Sequence, residues 1–404
     1  MSSKSCLTNL IEYLDTLTKL VDAGHNVDVI YLDFAKAFDK VPHKRLLTKL
    51  QAHGISGKVL EWISAWLSDR EQRVVLNGCT SEWGPVTSGV PQGSVLGPTC
   101  FVVFINDLDD VIMLVDGFIY KFADDTKCGR IVVEESDREI MQENINQLMR
   151  WAETWQMDFN TKKCKMFHLG NSNPCYKYTM GGFAPAGTVL EAVNEEKDIG
   201  VLVHDSLKPS SQCSKAAKKA NSVLGQMAKS FQCRDKYTWI GLYTTYVRHH
   251  LEFSVQSWSP WYKRDIEVLE KVQERALNMV RGLRGRSYEA KLKEVGLTTL
   301  VERRQRGDMV EVWKCLHQVS KMNPQMFALV GNDQSQHNQH TRHTAKPLNI
   351  IHPRAKLEIR KHFFTVRAVK PWNTLPAKVQ GAETVTQFKI DYDKFKERCK
   401  GSRT

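Results

Sequence analysis

Asp124 and Asp125 follow the apolar run from Gly117 to Phe122. Such a run predicts a buried strand, and the two carboxylates fall where that strand must turn. Adjacent carboxylates taken out of water repel one another and call for cations or hydrogen-bond donors. An isolated Asp-Asp pair reads more often as a solvated turn, but a third acid upstream alters the balance. The segment Val27 to Asp33 is apolar and rich in β-branched residues, the pattern of a strand buried on both faces, with Asp33 near its end. Asp28, near its start, is expected at the solvent margin. If the two strands are neighbours, Asp33, Asp124 and Asp125 meet at one sheet edge. Hard oxygen ligands suit magnesium, which uses few protein carboxylates and completes its shell with water and substrate phosphates. Two such ions about 3.5–4 Å apart activate an attacking hydroxyl and stabilise the leaving oxygen of a phosphoryl transfer. On this chemistry a metal-dependent nuclease and a polymerase are equally open.

The elements that position these acids are legible in outline. Residues 6–22 carry Leu7, Leu10, Ile11, Leu14, Leu17 and Val21 on one stripe at helical spacing. Pro42 opens a helix whose apolar face is Leu46, Leu47 and Leu50, and Val59 to Leu67 is another. Residues 72–76 and 83–87 read as two strands around Asn77-Gly78, joined by more than a two-residue loop. The stretch Ser88 to Pro98 packs three glycines and two prolines into a loop that opens a helix holding Phe101, Val102, Ile105 and Leu108. Glycine at such a place admits a ligand or a second backbone. Ile131 to Val133 is expected to return from the Asp-Asp turn, residues 137–156 to form a helix, and Lys197 to Val203 to be the clearest later strand. From Ser210 the chain becomes helical and basic, with further helices expected at 235–251, 264–281 and 297–320. Residues 332–346 are polar, and His337, His340 and His343 read there as loop composition rather than metal ligands.

Bulk properties narrow the class. The 404 residues are 42% apolar and 25% charged, the composition of a globular protein with room for two or three domains. No stretch approaches the roughly 20 apolar residues that span a bilayer, and no secretory signal opens the chain. The ten cysteines are scattered, which argues against a zinc ribbon and suits free thiols in a reducing, intracellular compartment, nucleus or cytoplasm. The net charge of +12 divides into −7 over residues 1–200 and +19 over the remainder. An acidic first half suits cations, and a basic second half suits a polyanion such as nucleic acid.

Three motifs occur in order: Tyr31-Leu32-Asp33-Phe34-Ala35-Lys36-Ala37-Phe38-Asp39, Ser88-Gly89-Val90-Pro91-Gln92-Gly93-Ser94 and Phe122-Ala123-Asp124-Asp125. Together they resemble the palm motifs of reverse transcriptases of LINE-type retrotransposons, those without long terminal repeats, and most closely the jockey-like group. Trp258-Ser259-Pro260, Arg303-Arg304 and Trp372-Asn373-Thr374-Leu375-Pro376 resemble the segment that follows the polymerase in that group. The likeness runs nearly end to end. It implies an α+β fold: a polymerase palm, with a small antiparallel sheet backed by helices, then a helical thumb and a basic C-terminal segment. The expected divisions are a palm with a remnant of fingers at 1–205, thumb and basic helices at 206–330, a linker at 331–352 and a small final unit at 353–404.

Carried onto this chain, the resemblance implies an RNA-directed DNA polymerase acting by two-metal nucleotidyl transfer to a primer 3′-hydroxyl. Asp33 and Asp124 become the principal ligands of two Mg2+ ions, with Mn2+ as a substitute, and Asp125 becomes the third acid. Phe38 lies beneath the sugar and excludes a 2′-hydroxyl. Gln92 and Gly93 lie against the incoming deoxynucleoside triphosphate and the template. Lys163, in Asn160-x-x-Lys163, faces the pyrophosphate and donates its proton; read without the family it is a surface lysine on a turn, and Phe38 a core aromatic. RNA template and DNA primer are the implied partners, with no membrane. Phe122 stands where the family usually has tyrosine, a change that leaves the acids intact. Only about 30 residues precede Asp33, where the family carries a triphosphate-clamping fingers domain and, further upstream, an endonuclease. The expectation is therefore a truncated copy: an active polymerase, working alone or completed by a fingers-containing subunit, or else a catalytically silent nucleic-acid-binding remnant.

Overall fold

A computed structural model describes residues 5–112, 116–181, 187–330 and 348–401. The chain divides into two compact units, one of residues 24–194 and the other of residues up to 23 together with those from 195 onward. Both mix helix and strand, so the α+β expectation holds.

The 24–194 unit is built on Val27–Leu32, buried at every position. The strand is also paired on both edges, so its backbone donors and acceptors are satisfied. Asp125–Ile131 and Lys165–Leu169 flank it, both antiparallel. Gly117–Phe122 pairs with Asp125–Ile131 on the outer side, and the short Glu191–Ala192 joins Lys165–Leu169 in parallel, completing five strands. Helices Glu135–Trp155, His43–Ala52, Gly57–Leu67 and Leu96–Phe104 cover the sheet through Met141, Ile145, Leu148, Trp151, Leu46, Leu50, Ile63, Leu67, Phe101 and Phe104, all buried. A capping box starts the longest of them. The Glu134 side chain accepts from the Asp137 amide while the Asp137 carboxylate accepts from the Glu134 amide.

Several expectations need correction here. The return strand begins at Asp125, directly after the turn, rather than at Ile131. Its polar sequence Asp-Thr-Lys-Cys-Gly-Arg hides it, because Thr126, Lys127 and Arg130 are buried in mid-sheet. Asn77-Gly78 is a two-residue turn after all. Leu76 pairs with Cys79 across it, and both turn residues have positive φ, as a tight hairpin turn demands. A second ribbon, Glu71–Gln72 with Gly84–Pro85, lies beneath it. Asp28 is not at the margin but fully buried.

The other unit is mainly helical. Ser210–Ser230 and Lys263–Asn278 pack through Ala216, Ala217, Ala220, Leu224, Leu269, Val272 and Ala276 around Trp239, Tyr243 and Trp258. The expected strand 197–203 is a hairpin, Glu195–Asp198 with Val201–His204, turning at Ile199-Gly200. The helix foreseen at 235–251 runs as Lys236–Leu242, a π-helical turn Tyr243–Val247 and Arg248–Glu252. Cys6–Ala23 belongs to this unit rather than to the sheet. Beyond its apolar stripe it buries Thr8, Asn9, Asp15 and Thr18. The Asp15 carboxylate, 4% exposed, receives Arg360 at 2.6 Å, Lys19 at 2.6 Å and the Thr365 hydroxyl. Residues 348–350 are tied to the last segment: Trp372 Nε1 donates to the Leu348 carbonyl at 2.7 Å, and the Asn373 side chain bonds both backbone groups of Ile350. His337, His340 and His343 lie outside the described residues. No described helix is long and apolar enough to cross a membrane, and no disulfide is found among the described residues.

Candidate active site

Antiparallel register decides what lies beside Asp33. Leu32 pairs with Thr126, so Asp33 comes to the end of the sheet where the neighbouring strand starts at Asp125. Phe122 pairs with Asp125, leaving Ala123 and Asp124 as the two turn residues at that same end. Ala123 sits at φ +54°, an uncommon conformation for a side chain with a Cβ. The first three candidate acids thus reach one rim, Asp33 and Asp124 half-buried and Asp125 exposed.

A third element closes on the rim from the other side. Phe34 bridges to Phe159, and their rings stack with centroids 4.5 Å apart. The Asn160 amide donates to the Asp33 carbonyl at 2.7 Å, and Ala35 donates to Asp158 at 2.8 Å. The 160–163 turn is closed by Lys163 donating to Asn160 at 2.8 Å. These bonds bring the Lys163 ammonium to 3.2 Å from Asp33 Oδ2. Lys163 is 67% exposed and Asp33 32% exposed, so solvent reaches the ammonium side of the contact and weakens it. Cys164 lies beneath, its thiol pushed up by burial.

The donor set fits a hard cation. Asp33 Oδ2 is shielded from solvent, and its one partner is the Lys163 ammonium at 3.2 Å. A carboxylate with one cationic partner keeps lone pairs that can accept from a ligand. Among the described residues no trio of Asp, Glu, His or Cys closes into a metal cage. A Mg2+ ion here would need oxygens from water and substrate, its usual mode.

The glycine-rich loop faces the Asp33–Val41 segment. Val90 donates to the Phe38 carbonyl and Gly89 to that of Val41, both at 2.8 Å. The Phe38 ring stacks on Phe101 at 4.5 Å, which fixes its plane while leaving it half-exposed. Gln92 is exposed and donates to the Asp39 carboxylate. Gly93 has φ +82° with open space where a Cβ would be. Asp39 and His43, which contacts the Gly89 carbonyl at 2.9 Å, were not singled out from the sequence. Asp39 closes the first motif, so its place there was the available signal.

Residues 3–242 match the family described as reverse transcriptase (RNA-dependent DNA polymerase), and the chain belongs to that family. The sheet unit is of its palm type, with helices following. Among curated relatives, the RNA-directed DNA polymerase from mobile element jockey of Drosophila funebris is 27% identical over 297 residues, 69% of this chain and 31% of that protein. Its namesake in Drosophila melanogaster is 25% identical over 279 residues, 65% of this chain and 30% of that one. The probable RNA-directed DNA polymerase from transposon X-element of the same species is 23% identical over 272 residues, covering 65% and 29%. The chain thus spans about three-tenths of the length of these relatives. Among solved structures, apo telomerase from Candida Tropicalis aligns at TM-score 0.40 and 10% identity over 72% of this chain and 49% of that one, too distant a likeness to bear on the site.

Proposed function

We propose that this chain carries the nucleotidyl-transfer centre of a LINE-type RNA-directed DNA polymerase. One observation supports the reading above the others: Lys163, distant in sequence, meets the donor-poor oxygen of Asp33 at the rim that also holds the Asp124 turn. Asp33 and Asp124 would hold two Mg2+ ions, or Mn2+, with Asp125 as the third acid. When bound, such ions supply Lewis-acid activation of the primer 3′-hydroxyl and neutralise charge on the phosphates.

The chain's own groups orient the reactants. Phe38, immobilised on Phe101, offers a flat apolar surface against the sugar, where a 2′-hydroxyl would lose its hydration without gaining a partner. Gln92 borders the base and sugar, and Gly93 lets backbone approach the template. Lys163, beside Asp33, is placed to pass a proton to departing pyrophosphate. RNA template, DNA primer and deoxynucleoside triphosphates are the proposed partners. Helices of 206–330 would grip the duplex through phosphate contacts, which weaken steeply with salt. Ten cysteines with no disulfide among the described residues suit an intracellular, reducing compartment.

The test is magnesium-dependent primer extension on an RNA template, with the wild type beside the Asp124→Asn/Asp125→Asn double variant. Extension that vanishes in the variant establishes the acids as catalytic. No extension by either protein, with salt-dependent template–primer binding retained, replaces the polymerase reading with that of a silent binding remnant.

A further inference from the structure

Gln92 Nε2 donates to Asp39 Oδ1 at 2.9 Å, across 53 residues of sequence. An ionised carboxylate only accepts. The amide must therefore turn its NH2 group toward Asp39, since the reverse would set two oxygens together. That settles an orientation that is otherwise ambiguous for a side-chain amide. The Asp39 main chain is itself held hard. Its amide donates to the Lys36 carbonyl at 3.0 Å, and its carbonyl accepts from Ser88 Oγ at 2.8 Å. Gly89, at φ +89°, lies so close that a Cβ there would meet the Asp39 carbonyl oxygen at 2.6 Å. Both Asp39 and Gln92 are exposed, and a hydrogen bond in solvent adds little to stability. A bond that springs from so fixed a main chain, and is worth so little to the fold, has orienting the amide as its use.

We propose that Asp39 is a positioning residue that holds the Gln92 carboxamide with its oxygen outward. The site then presents an acceptor to a hydroxyl or amino group of the bound nucleotide and turns a lone-pair oxygen, rather than an NH2, toward any misplaced phosphate. This rests on the polymerase reading for its ligand. The pair itself stands on geometry alone.

Two measurements test it. In the full chain labelled with 15N-glutamine, the Gln92 side-chain amide, assigned by its loss in Gln92→Glu, is expected to shift and exchange faster in Asp39→Ala. This readout needs no activity. In primer extension, Asp39→Ala is expected to raise KM for the deoxynucleotide about tenfold with kcat within about threefold. Gln92→Glu sets two carboxylates together and falls further. Asp39→Asn/Gln92→Glu reverses donor and acceptor while keeping an oxygen outward, and recovers much of the loss. A merely structural role would lower kcat and melting temperature together and show no rescue. An unchanged Gln92 amide in Asp39→Ala, or a double variant no better than the product of its singles, overturns the proposal. A shifted amide in a protein that extends no primer overturns only the nucleotide as ligand, and identifies the polymerase reading as the part that failed.

Discussion

One strand carries two aspartates with opposite surroundings. Asp28, near its start, is fully buried, yet its carboxylate accepts from Tyr178 at 2.7 Å and Asn173 at 2.8 Å, with His168 Nδ1 at 2.7 Å. Asp33, just past its end, is a third exposed, and the one partner of its shielded oxygen is the Lys163 ammonium at 3.2 Å. The buried acid is saturated and the rim acid is not. Saturation marks a group that holds the fold together, because each donor offsets desolvation. A rim carboxylate with one cationic partner keeps lone pairs that can accept from a ligand. The Asp28 network also acts on its partners: burial, then the carboxylate beside it, pushes the Tyr178 phenol far up, so it stays a donor at any ordinary pH.

The comparison breaks most sharply on exchanging the two roles. Asp28→Ala orphans three donors and is expected to destabilise the protein by roughly 3 kcal/mol, read from denaturant melts. Asp33→Asn is expected to leave the melt nearly unchanged while lowering primer extension at least about a hundredfold, since several kcal/mol of barrier depend on such ligands. Equal damage to stability from both would end the distinction.

Asp137 is a smaller test of saturation. Burial works against its ionisation, but the amides of Val133 and Glu134 and the Arg130 guanidinium overcome it and hold its carboxyl below the usual range. Arg130 stands opposite Asp28 in the sheet register, so this pair extends the saturated end. A folded-state pKa below the unfolded value adds stability that is complete above about pH 4 and fades as pH falls through the folded value. Asp137→Asn should therefore cost about 1 kcal/mol at pH 7, with the gap to wild type closing on acidification, as pH-dependent melts would show.

The smallest effect concerns Lys163. If the ammonium competes with a cation for Asp33, Lys163→Met should tighten Mn2+ binding to the chain about threefold, followed by electron paramagnetic resonance. Weaker binding would mean that the lysine organises the carboxylate rather than competing for it.

Much of the site was readable because its residues come in short motifs whose chemistry is local. Asp33, Asp124 and Asp125 were expected at one rim, and the strands that carry them pair side by side. Lys163 could be nominated only through a family pattern, and its approach to Asp33 depends on the Asn160 turn bonding to the Asp33 carbonyl. Asp39 escaped notice since an exposed acid has no distinctive pattern until its partner, 53 residues away, is seen. Asp28 was misjudged for a definite reason. In a strand buried on both faces, period-two alternation disappears, so no pattern separates its wet end from its dry one.

The sequence by itself determined the acids, their order, the apolar runs that make the central strands and the long helices, because these follow from side-chain chemistry and local periodicity. Only the tertiary structure decided which acid is saturated and which is left short of donors. It also assigned the first helix to the helical unit, where Asp15 meets Arg360, and turned Gln92 toward Asp39. Each of those outcomes needs groups far apart in the chain to meet, and a meeting of that kind is fixed by packing and register rather than by any neighbouring residue.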